Sequence, residues 1–121
     1  MGWHIDHSLK VINGVIEVLK NASTNQQSKV KLMGRICILF RYIPRGRGQA
    51  PERVLPPEII TKEDLEKQLS LAKQNITMIS NIDSKSSFEH LYFGVLSKNQ
   101  TIRFLETHTK HHLKIIRDIL K

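Results

Sequence analysis

The sequence has a single cysteine, Cys37, so no internal disulfide is available to it. No apolar run approaches the roughly 18 to 20 residues that a bilayer-crossing helix needs. The first residues, Met-Gly-Trp-His-Ile-Asp-His, lack the basic and apolar regions of a secretory leader. These absences lead us to expect a cytoplasmic protein with no membrane partner. Apolar neighbours on both sides of Cys37, namely Ile36, Ile38 and Leu39, point to a buried thiol, because reactive thiols need an electropositive, partly exposed setting. Internal repeats, credible strands and nucleic-acid-binding motifs are also missing. Tyr92 and Phe93 lie far along the chain from the arginine-rich segment, so no stacking platform is indicated and nucleic acid is a disfavoured partner.

What is present is the balance of an ordinary globular protein: 121 residues, 40% of them apolar and 25% charged, enough for one core and too few for two. A single domain over residues 1–121 follows. The formal net charge of +8 favours anionic ligands. Cations are densest in Arg41-Tyr-Ile-Pro-Arg-Gly-Arg-Gly-Gln-Ala-Pro-Glu-Arg53, whose glycines and prolines mark a loop.

Helical periodicity covers most of the rest. Ile5, Leu9, Ile12, Ile16 and Leu19 form one stripe, with His4, His7, Val11, Val15 and Val18 beside it, which predicts a first helix buried on two faces. Asn21-Ala-Ser-Thr-Asn breaks it, and Ser23 with Gln26 reads as a capping box for a second helix over 26–43, ended by Pro44. From Pro44 to Ile60 an ordered loop is expected. Thr61-Lys-Glu-Asp opens a third helix, with Leu65, Leu69, Ala72, Ile76 and Ile79 as its buried stripe. Phe88 to Gly94 reads as an aromatic loop, and Ser97 with Gln100 caps a last helix. Four helical segments predict an all-α bundle.

The inward stripe of the last helix is Ile102 or Leu105, His108, His112, Ile115 and Ile119, which puts two histidines one turn apart on a core face. An imidazole pair four residues apart can reach one metal ion. The first helix adds His4 and His7 near its own core face, and bundles build metal sites from facing helices. Burying several unpartnered imidazoles costs about 1 to 3 kcal/mol each, which a shared ion removes. Spacing alone does not choose between His4 and His7.

Trp3-His-Ile-Asp-His7 resembles the Trp-His-x-x-His segment of DinB-like domains, and His108-Thr-Lys-His-His112 resembles their late His-x-x-x-His pair. Ile43-Pro-Arg-Gly46, the Tyr-Phe-Gly segment at 92–94 and Lys110-His-His-Leu113 extend the likeness to a branch of that superfamily classed as a domain of unknown function. The resemblance implies a DinB-like helical bundle in which His7, His108 and His112 bind a divalent ion, His4 packs near them, and His111 faces outward or supports from behind. DinB-like domains usually carry a helix before the Trp-His segment. Here either the chain is shortened or the segment from Ser23 to Ile43 takes over that packing.

Three imidazoles leave positions open for water or substrate, and zinc, nickel or ferrous iron all accept such ligands. In the resembled superfamily the metal activates a thiol or a water, as in thiol S-transferases and maleylpyruvate isomerases. The implied function is therefore a metal-dependent thiol S-transferase or hydrolase acting on a small anionic molecule, with Arg45 and Arg47 as substrate-binding residues. Asp6 and Glu106, the acids nearest the ligands in sequence, read as solvated surface charges. The alternative is a non-catalytic, metal-braced protein whose basic loop engages nucleic acid or an acidic partner. A third reading, a scaffold with vestigial histidines, requires protein that purifies without metal. An apolar face left by the missing leading helix predicts a homodimer through Leu9, Ile12, Ile16 and the Leu32 to Phe40 segment.

Overall fold

The computed structural model describes residues 2–21, 29–43, 50, 52–90 and 92–121. Helix α1 runs Gly2–Asn21, α2 Leu32–Phe40, α3 Lys62–Met78 and α4 Lys98–Ile119. Three short strands, β1 (Lys29–Val30), β2 (Ser87–His90) and β3 (Gly94–Ser97), form an antiparallel sheet in the order β1-β3-β2. The protein is thus mainly helical, but the expectation of no strand is corrected. Phe88 and Gly94 lie in paired strands, with Phe88 opposite Leu96 and His90 opposite Gly94, so β2 and β3 make a hairpin. Gly94 takes a φ of +87°, a region that other residues rarely adopt, and a side chain there would also strike the Lys29 carbonyl.

The second helix is shorter than its periodicity suggested. Lys29 and Val30 pair with Val95 and Gly94, and the Lys31 N–H donates to the Phe93 carbonyl at 2.8 Å, so the chain leaves the sheet before α2 begins. Arg41 ends the helix in the left-handed conformation, φ 53°, with its N–H reaching the Cys37 carbonyl. The expected cap at Ser23 and Gln26 lies outside the described residues. The other two caps are present. Thr61 accepts from the Asp64 N–H at 3.1 Å, and Ser97 with Gln100 forms a reciprocal capping box that fixes where α4 leaves β3.

The core joins α1, α2, the hairpin and α4: Val11, Val15 and Ile16 of α1, Cys37 and Ile38 of α2, Phe93 and Leu96 of the hairpin, and Phe104 and Leu105 of α4. Burial raises the Cys37 thiol pKa, which suits a packing role. Gly34 is where α2 meets the hairpin, because an added Cβ would lie 2.7 Å from the Phe93 Cβ.

Helix α3 differs most from its expected face. Leu69 and Ile76 are exposed, and the buried positions are Ala72 and Asn75, with Leu65, Gln68 and Ile79 half-buried. The reason is polar. Gln68 donates to the Asp6 carboxylate at 2.9 Å, Asn13 donates to the Gln68 carbonyl at 3.1 Å, and Asn75 donates to the Asn13 side-chain oxygen at 3.0 Å. These bonds turn α3 so that amides, not leucines, meet α1. Val18 and Ile119 are likewise exposed rather than buried. Leu9 and Ile16, assigned above to a subunit interface, are buried within this chain against its own elements.

Candidate metal centre

Helices α1 and α4 pack together, and the histidines of both meet at that seam. His7 and His112 are buried and His108 half-buried, and one ring nitrogen from each lies within 4.8 Å of the other two. The i,i+4 spacing on α4 holds the His108 and His112 rings 4.6 Å apart, while His7 faces them from α1 at 5.0 and 4.8 Å.

The hydrogen bonds fix much of the site's chemistry. His7 Nδ1–H donates to the Val54 carbonyl at 2.9 Å, which puts its lone pair on Nε2, where with no ion bound it accepts a hydrogen bond from His108 Nε2. That Nε2 lies 3.2 Å from His108 Nε2. Two nitrogens bound to one tetrahedral ion at about 2.0 to 2.1 Å stand about 3.3 Å apart, so this pair already has the edge length of a ligand tetrahedron. Anchoring a ligand histidine through its far nitrogen to a backbone carbonyl is the usual support in such sites. His108 Nδ1 is buried with no hydrogen-bond partner among the described residues, so its ring is held on the Nε2 side, toward His7.

Val54 sits in a short 3₁₀ turn, Glu52–Val54, and the turn is bolted to α1 through Lys10. The Lys10 ammonium contacts the Asp6 carboxylate at 2.9 Å and donates to the Leu55 carbonyl at 3.1 Å. Asp6 is 1% exposed, which corrects its reading as a solvated charge: it is a buried counter-ion that holds the loop which orients His7. Glu106 is exposed, as expected. Trp3 stacks on His7 with centroids 4.9 Å apart and stands edge-on to His4 at 5.1 Å.

Electrostatics keeps the cluster neutral. Burial, then the neighbouring His7 and His111, pushes the His112 pKa down to about 3, and burial with His112 and His7 beside it drives His108 lower still. His7 and His4 are also lowered, chiefly by burial. Neutral imidazole is the form that ligates.

His4 Nδ1 lies 2.8 Å from His112 Nδ1. His111 is half-buried with its ring edge-on to His112 at 5.0 Å. His90 stands apart from the three, stacked on Phe93 at 4.2 Å, with its Nδ1 accepting the Tyr92 and Phe93 N–H groups at 3.0 Å each. Arg45 and Arg47 lie outside the described residues. Sequence reasoning missed Lys10, Gln68 and Val54. The Asp6–Lys10 spacing was a readable signal for the first, whereas nothing local announces the other two.

Among the described residues no helix is long and apolar enough to cross a membrane. No family model matches the chain, and neither a curated protein nor a solved structure matches it.

Proposed function

We propose that the chain binds one divalent transition-metal ion through His7, His108 and His112 and uses it as a DinB-like metal-dependent thiol S-transferase or hydrolase on a small anionic molecule. The observation that carries the metal is the 3.2 Å approach of His7 Nε2 to His108 Nε2, with the far nitrogen of His7 tied to Val54. The longest allowed separation within the trio, 4.8 Å, needs about 1.5 Å of closure to reach tetrahedral spacing, within reach of side-chain rotation. Zinc, nickel and ferrous iron all suit three neutral imidazoles. An ion held by three ligands keeps positions open and lowers the pKa of a water or thiol bound there. The chain's residues keep the imidazoles neutral and aligned, and its excess of cations favours an anionic substrate. The reaction class rests on the sequence resemblance.

Elemental analysis of protein purified without an affinity tag tests the metal directly. About one equivalent of zinc, nickel or iron per chain is expected, and a metal-free protein that also fails to take up added zinc overturns the reading.

A second reading, a metal-braced binding protein, draws on one observation. Lys20, Lys29, Lys31, Arg35, Arg41, Arg45 and Arg47 follow one another with no acid between Glu17 and Glu52. If this segment engages nucleic acid, affinity for a duplex oligonucleotide falls steeply between about 50 and 200 mM salt. We also propose that the chain forms a homodimer through the outer face of α2, where Leu32, Met33, Ile36, Leu39 and Phe40 are exposed.

A further inference from the structure

We propose that His4 is a positioning residue for the metal site: it accepts a hydrogen bond from His112 Nδ1 and so turns His112 Nε2 to the ion. This rests on the metal reading above.

The argument starts from the 2.8 Å between His4 Nδ1 and His112 Nδ1. Two imidazole nitrogens cannot approach so closely with a lone pair on each or a proton on each, so one proton lies between them. If His4 held it, His112 would carry its own proton on Nε2 and would have no nitrogen to offer an ion. If His112 holds it, His112 Nε2 bears the lone pair. That is the tautomer the Val54 carbonyl imposes on His7, whose Nδ1–H donates there. Both buried ligands then present Nε2 and both anchor Nδ1, one to a backbone carbonyl and the other to a side chain.

Geometry separates His4 from the ligands. It is not among the residues whose ligand atoms come within 4.8 Å of one another, and among the described residues its close polar contact is to His112. It sits three residues before His7, on the same face of α1 and one turn nearer the helix start. Trp3 meets His4 edge-on and lies flat against His7, so one indole steadies both rings. His111 packs edge-on against His112, which leaves that ring held between His4 and His111. Asp6, the nearest carboxylate in sequence, is engaged by Lys10 and Gln68.

The test measures cobalt(II) and zinc affinity by chelator competition for the wild type, His4→Phe, His4→Gln and His7→Ala, with circular dichroism confirming that each is folded. Phe keeps a ring without an acceptor, whereas the Gln carbonyl restores one. We expect His4→Phe to lose about 10- to 100-fold in affinity with an unchanged cobalt absorption spectrum, and His4→Gln to recover most of it. Wild-type affinity in His4→Phe overturns the proposal, and so does a changed cobalt spectrum in that variant, which makes His4 a ligand. Wild-type protein that binds neither metal overturns the metal reading itself. Binding by the wild type that His7→Ala abolishes supports that reading whatever His4 does. Should His4→Phe fail to fold, long-range proton–nitrogen correlation spectra of the zinc-loaded wild type decide. A protonated Nδ1 and metal-bound Nε2 on His112 are expected, and zinc on Nδ1 overturns the proposal.

Discussion

At the seam between α1 and α4, Asp6, His7, Thr107 and His112 are buried, whereas on the outer face of α2 Leu32, Leu39 and Phe40 are 70 to 74% exposed. Each region reverses the ordinary placement of its residue types, and the two reversals are supported very differently. Several polar groups at the seam are tied into a network, His7 to Val54, Asp6 to Lys10 and Gln68, and His4 to His112, while Thr107 Oγ1 and His108 Nδ1 have no hydrogen-bond partner among the described residues. Such a network offsets the cost of burial and holds side chains in one geometry. Among the described residues nothing comparable covers the apolar side chains on the outer face of α2. Burial of polar groups at the seam points inward to a ligand, and exposure of apolar groups on α2 points outward to another surface.

The sharpest way to break the comparison is to remove a seam ligand. His108→Ala, like His7→Ala and His112→Ala, is expected to lower zinc affinity at least about 100-fold, because three donors cannot be replaced by two without opening the site. His90→Ala and His111→Ala should leave metal stoichiometry intact, since neither belongs to the close trio. A loss from His111→Ala equal to that from His108→Ala would overturn the facing assigned to α4.

The seam should also set the response to acid. Burial lowers the pKa of His90 to about 4 and of His112 to about 3 in the folded chain, against about 6.5 when unfolded. The unfolded state therefore binds protons that the folded state refuses. Without metal, stability is full above pH 6.5 and falls as pH drops below it, by up to about 1.4 kcal/mol per unit for each such histidine. Urea titrations of chelator-treated protein at pH 7, 6 and 5 measure this. In zinc-loaded protein, metal binding should weaken as acid protonates the imidazoles, and a zinc content that does not change with pH would argue for different ligands.

How far these regions were legible in the sequence follows from the same physics. The α4 pair was legible because α4 is long and amphipathic, so His108 and His112 fell on one face with Leu105, although of the rest of that stripe Ile115 is half-buried and Ile119 exposed. Spacing left His4 and His7 open on α1, and the choice of His7 came from the resemblance. The caps at Thr61 and Ser97 were legible because they are local chemistry. Strands of two to four residues are too short to show alternation, and the hairpin's one clear sign was Gly94 after the Leu-Tyr-Phe run. The α3 face was misread because apolar spacing was taken as the guide, while Gln68 and Asn75 bind polar groups on α1 that lie 62 positions away in sequence. A long-range amide bond leaves no periodic trace.

A smaller effect separates the two faces of α2. Gly34 lies against Phe93 with no room for a methyl group, so Gly34→Ala should destabilise the protein by about 1 to 3 kcal/mol through overpacking, even though alanine is the better helix former. Thermal or urea unfolding measures it. An unchanged or raised midpoint would mean that α2 does not press on the hairpin at this point.

The outer face should give the smallest change in stability and the clearest change in assembly. Leu39 and Phe40 are each 70% exposed, so Leu39→Gln and Phe40→Ser remove little buried area and should alter the stability of an isolated chain by no more than about 0.5 kcal/mol. If α2 pairs with its counterpart across a two-fold axis, the same substitutions remove apolar contact from both subunits at once. Opposing this pairing are Lys31, Arg35 and Arg41 on or beside α2, which bring like charges together. Added salt screens that repulsion and should strengthen the dimer. Sedimentation equilibrium of the wild type at micromolar concentration is expected to give twice the 14.0 kDa chain mass, and the double variant the chain mass alone. A wild type that stays at the chain mass in both low and high salt would leave α2 exposed but without a second copy to cover it, and the homodimer would be excluded.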